Sequence, residues 1–215
     1  MFALDPALGR DRPLRLVCLG AHADDVEIGA GGAVFRLLAE RPRTEVTWVV
    51  FSADGPRADE ARASAADLLA GAARVDVHVL DYRDGFFPSQ AADLKGFAQA
   101  ALEPVRPHLV LAHRRDDAHQ DHRVVANLAW QTFRGSTIAG YEVPKWDGDL
   151  DRPNAYVALG PDVLDRKLAV LDAHFASQSG KGWYDAETFR GLARVRGVEA
   201  GARYAEAFHC PKLVW

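Results

Sequence analysis

The sequence has few cysteines, no block of basic residues and no long apolar run. Its 215 residues include only two cysteines, Cys18 and Cys210, which cannot form a disulfide framework and lack the spacing of a cysteine metal site. The net charge is −4, so no basic field attracts a polyanion, and we expect no nucleic-acid partner. No apolar stretch is long enough to span a bilayer, and the N-terminus lacks a signal-peptide core. These absences predict a cytoplasmic protein without a membrane partner.

Strand-like and helix-like segments alternate along roughly the first two thirds of the chain. Apolar runs typical of buried strands are followed by segments with helical spacing of their apolar residues. Such alternation predicts right-handed crossovers and an α/β fold, with a Rossmann-like, mostly parallel sheet flanked by helices. The strands are expected at 14–20, 45–52, 75–81 and 108–113, and the helices at 31–40, 59–72, 93–106 and 122–134.

From about residue 135 the pattern becomes irregular. Segment 135–155 mixes short strand-like pieces with proline, aspartate and glycine, and two more helices are expected near 162–176 and 185–208. A chain of this length can bury a sizeable core as one unit. We therefore expect a single domain over residues 1–215, in which the irregular C-terminal part completes a pocket.

The segment GAHADDVEIGAGG, residues 20–32, directly follows the first predicted strand. It does not fit a dinucleotide fingerprint, because Val34 stands where G-x-G-x-x-G requires a small residue and because its acidic side chains would repel a pyrophosphate. The same side chains suit a cation. His22 and Asp25, three residues apart across a turn, can converge on one ion, and zinc accepts both nitrogen and oxygen ligands.

A second polar cluster, RRDDAHQDHR, follows the strand expected at 108–113. His119 and His122 are three residues apart, so a helix there would place both imidazoles on one face. Ligands of open α/β sheets bind outside the carboxyl ends of the strands, where both clusters lie. His22, Asp25 and His122 would then form a three-ligand site with one open position, as in catalytic zinc centres.

Each of these residues also has a simpler interpretation. Asp24 with Glu27 three residues later is compatible with a capping box. A lone H-x-x-H motif is weak evidence for a metal, and we interpret His113, Asp116 and Asp117 as polar loop residues. The combination of two clusters after parallel-type strands nevertheless favours metal binding.

The quoted segments carry a family resemblance. AHADDVEIGAGG resembles the A-H-P-D-D-x-E-x-G-x-G-G signature of the LmbE-like, or PIG-L, family of zinc-dependent N-deacetylases, and HQDHR resembles its second signature, H-x-D-H. FASQSGKGWYD and RVRGVEAGARYAEAFH are similar to the family's late segments. In the last of these, Tyr204 and Phe208 have the i, i+4 spacing of a core-packing helix. Ala23 stands where the family most often has proline, a change that removes no ligand.

The resemblance implies that His22, Asp25 and His122 bind Zn²⁺, that Asp24 is the general base and that His119 acts as an electrophile or acid. The chemistry favours the same division of roles. Zinc lowers the pKa of a bound water to about 7, so a weakly basic carboxylate beside it can take the proton. A donor such as His119 could stabilise the oxyanion or protonate the leaving amine.

Further residues are expected around this centre. Asp121 either orients a histidine or faces solvent at a helix start, and Glu27 is expected to hold the start of the first helix. Arg57 matches the family's arginine near the mouth of the site, where it could bind substrate hydroxyls or a phosphate, or it pairs with Glu60 at the surface. Tyr141 is expected in the far wall of the pocket as a substrate contact.

The sequence therefore predicts a zinc-dependent hydrolase that removes an N-acyl group, above all an acetyl group, from an amino sugar or a sugar-containing small molecule. One alternative is an amidase of a larger sugar or thiol conjugate. Another is Mg²⁺-dependent phosphoester hydrolysis, which would need more oxygen ligands and fewer imidazoles. A third is a catalytically silent protein that binds a metal or a carbohydrate. A homo-oligomer is expected only by analogy with the family.

Overall fold

The computed structural model describes residues 12–212. Its seven strands are β1 (Arg15–His22), β2 (Glu45–Ser52), β3 (Arg74–Val79), β4 (Leu109–His113), β5 (Thr137–Tyr141), β6 (Ala155–Leu159) and β7 (Tyr204–His209). They form one sheet in the order β3-β2-β1-β4-β5-β7-β6. Strands β1 to β5 run parallel to one another, and β7 runs antiparallel to both β5 and β6. The predicted mostly parallel α/β fold is confirmed.

Six α-helices accompany the sheet in the described part of the chain. They are α1 (Asp25–Glu40), α2 (Gly55–Leu68), α3 (Ala91–Phe97), α4 (Gln120–Thr132), α5 (Pro161–His174) and α6 (Ala186–Ala200). The helix expected over 93–106 is only partly regular, because α3 continues through a π-helical turn at Ala98–Leu102 and a 3-10 turn at Glu103–Val105. Between residues 12 and 212, no helix combines the length and apolar character needed to cross a bilayer.

The core lies in two layers, one on each face of the sheet. Successive side chains of a strand point to opposite faces, so Leu16 and Cys18 of β1 join one apolar cluster, together with residues of α1, α2 and α5. Val17 and Leu19 join the other cluster, with residues of α3 and α4. β1 is buried on both faces, so the residues at and after its carboxyl end lie at the edge of the sheet, between the two helical layers.

The prediction of a C-terminal helix over 185–208 is wrong for the second half of that range. α6 ends at Ala200, where Gly201 adopts a left-handed conformation with φ 67°, as is common after a helix. The chain then enters β7, in which the alternation of Tyr204, Glu206 and Phe208 has the period of a strand. Glu206 is buried, and its carboxylate accepts hydrogen bonds from the backbone of α1 and lies 2.6 Å from Lys167 Nζ. Contacts with residues distant in sequence therefore determine that this segment forms a strand rather than a helix.

Candidate active site

Three side chains from two strand ends converge at the carboxyl edge of the sheet. His22 is the last residue of β1, Asp25 is the first residue of α1 and His122 lies near the start of α4. His22 Nδ1 lies 3.3 Å from His122 Nε2 and 3.4 Å from Asp25 Oδ2, and His122 Nε2 lies 3.5 Å from Asp25 Oδ1. Ligand atoms placed tetrahedrally about 2.0–2.1 Å from a zinc ion lie about 3.3 Å apart. This cluster could therefore hold zinc.

Two other possible ligand groups overlap this cluster. One consists of His113, Asp117 and His122, and the other of His22, Asp84 and His119. In the first group, His113 Nε2 already accepts a hydrogen bond of 3.0 Å from the backbone N–H of Ala21. In the second, His22 Nε2 faces two carboxylates, at 3.0 Å from Asp84 and 3.3 Å from Asp121. A proton on His22 Nε2 leaves Nδ1 free for a metal, which favours the cluster of His22, Asp25 and His122.

The charges of this cluster also suit a cation. Burial opposes ionisation of Asp25, but His122 and His113 beside it hold its pKa well below the usual value. Burial, followed by the charge of His113, lowers the pKa of His122 to about 4, so its imidazole is neutral at neutral pH. Burial alone would lower the pKa of His22, but hydrogen bonds to carboxylates, Asp121 first, raise it well above the usual value. A metal ion at this position would replace that proton.

Asp24 stands next to the cluster but is not part of it. It precedes α1 in the left-handed region, with φ 98°, which is uncommon for a residue other than glycine. Its side chain is buried, and burial together with the Asp25 carboxylate raises its pKa to about 8, while Arg57 opposes this shift. A cation bound to Asp25 would also lower the pKa of Asp24. The result is a carboxylate close to a metal position, poised to accept a proton.

His119 presents a hydrogen-bond donor beside the cluster. Its Nδ1 accepts the backbone N–H of Asp121 at 3.2 Å, which caps α4. The neutral imidazole therefore carries its proton on Nε2. Burial and the neighbouring His22 lower the pKa of His119, and its ring centroid lies 4.6 Å from that of His122. A neutral N–H donor at this place can stabilise a developing oxyanion.

Buried carboxylates orient both candidate ligand histidines. Asp121, which lies 3.3 Å from His22 Nε2, also accepts the backbone N–H groups of Gly85 at 2.6 Å and Phe87 at 3.1 Å. It is fully buried, so the solvent-facing alternative is excluded. Asp117 Oδ2 lies 3.1 Å from His122 Nδ1. A carboxylate behind each imidazole fixes its orientation, as is common around metal-binding histidines.

Arg57 reaches the turn before α1 from the start of α2. Its Nη2 lies 3.6 Å from Asp24 Oδ2 and donates to the carbonyl oxygen of Ala23, and its Nη1 lies 3.5 Å from Glu60. The pairing with Glu60 that the sequence left open is therefore present. The guanidinium nevertheless also borders the candidate site, because it contacts Asp24.

The family model described as GlcNAc-PI de-N-acetylase (PIG-L) matches residues 17–133. The chain belongs to the PIG-L family. The matched region extends from β1 to just beyond α4 and so contains both polar clusters that converge in the site. The resemblance stated from the two sequence signatures is thereby confirmed.

Solved structures share the fold of this PIG-L chain. The conserved protein TT1542 from Thermus thermophilus aligns with a TM-score of 0.73 and 24% identity, covering 94% of this chain and 96% of that one. The N,N'-diacetylchitobiose deacetylase from Pyrococcus horikoshii aligns with a TM-score of 0.69 and 24% identity, covering 91% of this chain and 82% of that one. The 4-carboxy-2-hydroxymuconate hydratase from Pseudomonas putida aligns with a TM-score of 0.67 and 21% identity, covering 94% of this chain and 98% of that one. At these identities the likeness concerns the fold alone.

Two sequence-based expectations for this PIG-L chain need correction. Tyr141 is fully buried and donates a 2.7 Å hydrogen bond to the carbonyl oxygen of Leu19, so it offers no surface to a substrate. Its hydroxyl oxygen also lies 3.2 Å from His113 Nε2. Asp24 makes no side-chain capping bond, so the capping box with Glu27 is not formed. Glu27 Oε1 accepts a 2.6 Å hydrogen bond from Ser64 Oγ, which ties α1 to α2, and burial raises the pKa of Glu27 to about 7.

Sequence reasoning missed three residues that support the site. His113 and Asp117 are each only 1% exposed, although we interpreted them as polar loop residues. Asp84 touches His22 but lies in a segment without a motif. The available signal was position, since His113 and Asp117 follow a parallel strand at the edge of the sheet where ligands bind. The exposed Asp116, in contrast, agrees with the loop interpretation.

Proposed function

We propose that this chain is a zinc-dependent hydrolase that removes an N-acetyl group from an amino sugar or a sugar-containing small molecule. The observation that carries the proposal is the spacing of 3.3–3.5 Å among His22 Nδ1, Asp25 and His122 Nε2, with a buried carboxylate, Asp24, beside them. Zinc bound there would supply a Lewis acid that polarises an amide carbonyl and makes a water more acidic.

The chain's own residues supply the proton transfers. Asp24 is not needed as a ligand, and a cation held by its neighbour Asp25 would favour the ionised form of its buried carboxyl group, which can accept a proton from the attacking water. His119 presents Nε2–H to the oxygen that gains negative charge when the amide carbon becomes tetrahedral. Asp24 can then return its proton to the leaving nitrogen, so that acetate and a free amine are the products.

Family and neighbours support this reaction class. The matched family model carries a de-N-acetylase description, and neighbouring structures include a chitobiose deacetylase and a teicoplanin deacetylase. Because a hydratase shares the fold, the fold alone does not select hydrolysis. The proposal therefore rests on the family match together with the ligand geometry and the position of Asp24.

The test is product release from a panel of N-acetylated amino sugars by zinc-loaded protein. We expect acetate and a primary amine in equal amounts from at least one of them, and no phosphate from sugar phosphates. Acetate release restricted to larger sugar or thiol conjugates would indicate the amidase alternative. Zinc binding without product from any substrate would contradict the proposal and indicate a silent binding protein.

A further inference from the structure

A buried ammonium group lies behind the candidate metal cluster. It belongs to Lys145, in the connection between β5 and β6, and its side chain is only 8% exposed. Nζ lies 2.8 Å from both carboxylate oxygens of Asp149 and 3.1 Å from Asp117 Oδ1. Asp149 belongs to the same turn as the lysine, residues 145–149, which includes Trp146, whereas Asp117 belongs to the loop between β4 and α4. The ammonium therefore connects this turn to the loop that carries the second polar cluster.

Asp117 connects the ammonium to the candidate site. Its side chain is 1% exposed, and its two carboxylate oxygens have different partners. Oδ1 accepts the backbone N–H of His119 at 2.8 Å, and Oδ2 lies 3.1 Å from His122 Nδ1. His122 Nε2 in turn lies 3.3 Å from His22 Nδ1. Lys145 is therefore two contacts away from a candidate zinc ligand.

The position of Asp117 Oδ2 depends on what holds Oδ1. An imidazole that binds a metal through Nε2 carries its proton on Nδ1, and a carboxylate beside Nδ1 fixes the tautomer and the orientation of the ring. Lys145 Nζ and the His119 N–H both hold Oδ1. The carboxylate cannot turn away from His122 without losing these two contacts.

The ammonium also balances a charge that is unfavourable in a buried position. A carboxylate removed from water must be paired with a cation or fully hydrogen-bonded. The neutral His122 imidazole and the His119 N–H supply donors, but Lys145 supplies the positive charge. Without that charge, the loop could relieve the unpaired carboxylate only by moving it towards water, and Oδ2 would leave His122.

We propose that Lys145 is a positioning residue for the metal centre, because it holds Asp117 in the place that directs His122 Nε2 at the ion. This inference rests on the zinc site of the proposed function and not on the identity of the substrate. Lys145 lies outside the residues 17–133 that match the family model. The C-terminal part of the chain would thus support the metal site without supplying a ligand.

The test is a double-mutant cycle on zinc affinity, measured by competition between the metal-free protein and a chelator. Lys145→Met removes the charge, and we expect it to weaken zinc binding about 10-fold, the lower end of the usual effect of a partner behind a metal ligand. Asp117→Asn should weaken it at least as much. In the Asp117→Asn protein, Lys145→Met should change the affinity by less than about twofold, since the two residues act as one unit. This double variant buries no unpaired carboxylate at residue 117, so it also tests the proposal if Lys145→Met alone folds poorly.

Two control variants and two contrary outcomes complete the test. Lys145→Arg keeps the positive charge and should retain most of the affinity, and Lys95→Met, at an exposed lysine of α3, should leave it unchanged. Unchanged affinity in Lys145→Met would overturn the proposal. An equal loss from Lys145→Met with and without Asp117→Asn would also overturn it, because the lysine would then act without Asp117. The cycle needs no substrate, so zinc binding without acetate release would contradict the proposed hydrolase and not the role of Lys145.

Discussion

The Arg57 guanidinium lies 3.6 Å from the Asp24 carboxylate and donates a hydrogen bond to the carbonyl oxygen of Ala23. One side chain of α2 thus holds both the backbone and the charge of the turn before α1. The PIG-L family most often has proline at the position of Ala23, which would stiffen this turn through its fixed φ. Here the contact with Arg57 restrains the turn in another way, and it leaves the His22, Asp25 and His122 cluster intact.

Replacing a candidate ligand should remove the metal. We expect about one zinc per purified chain, and close to none in His122→Ala, because two remaining ligands bind zinc far more weakly than three. Elemental analysis after dialysis measures this. The control is His174→Ala at the end of α5, where the imidazole pairs with Asp67 far from the cluster. Full zinc content in His122→Ala would exclude His122 as a ligand.

Tyr141→Phe tests the corrected role of that residue. Loss of the buried hydroxyl leaves the Leu19 carbonyl oxygen without this donor, which should lower the free energy of unfolding by about 1–2 kcal/mol. KM for an N-acetylated amino sugar should not change, since the ring is fully buried. The Tyr156 hydroxyl is partly exposed and donates to the carbonyl oxygen of Pro153 at 3.1 Å, so Tyr156→Phe should lower the free energy of unfolding by less. A large rise in KM without loss of stability would show that Tyr141 contacts the substrate and that the correction is wrong.

Gly29→Ala should destabilise the fold. A Cβ at Gly29 would lie 2.2 Å from the Tyr141 ring and 2.8 Å from the carbonyl oxygen of Glu142, so helix α1 and the end of β5 would have to separate. Overpacking of this kind costs about 1–3 kcal/mol. Gly96→Ala in α3 meets nothing within 4 Å and should be neutral or stabilising. Denaturant unfolding of both variants measures the difference, and equal stability would contradict the close contact.

Asp149→Asn should destabilise the turn of Trp146 in a pH-dependent way. Burial opposes ionisation of Asp149, but the Ala118 N–H, Lys145 and Arg114 together hold its pKa below the usual value. A lowered folded-state pKa stabilises the protein above the unfolded-state pKa, about 3.9, and this contribution disappears as the pH falls through the folded-state value.

The free energy of unfolding of Asp149→Asn should therefore be about 1–3 kcal/mol lower than that of the unaltered protein at pH 7. The difference should shrink as the pH falls below about 4. Asp147→Asn, an exposed acid in the same turn, should show little effect. A difference that stays constant from pH 7 to acid conditions would contradict the role of the Asp149 charge.

The sequence predicted the parallel sheet and the convergence of the two polar clusters because both depend on local patterns. Strands β1, β2 and β4 are apolar runs, and parallel strands place their following residues at one sheet edge. α1 begins at Asp25 rather than at the expected residue 31. The glycines in its first half are poor helix formers, and the close packing of Gly29 on Tyr141, which the sequence does not reveal, leaves no room there for a larger residue.

The remaining errors concern contacts between distant segments. YAEAF satisfies both a helical and a strand spacing, and only pairing with β5 and β6 selects the strand. The direction of Tyr141 depends on the pleat of β5, which an irregular stretch of sequence does not reveal. His113 and Asp117 appear polar in sequence, and their burial follows from the carboxylate and imidazole partners that the fold brings to them.

Acetate release by Asp24→Asn, measured together with its zinc content, tests the central claim most directly. The substitution removes the proposed proton acceptor and leaves His22, Asp25 and His122 in place. We predict that zinc stays at about one per chain while kcat for an N-acetylated amino sugar falls by about 10²- to 10⁴-fold, the usual worth of general acid–base catalysis. Undiminished acetate release by the zinc-loaded variant would contradict the account.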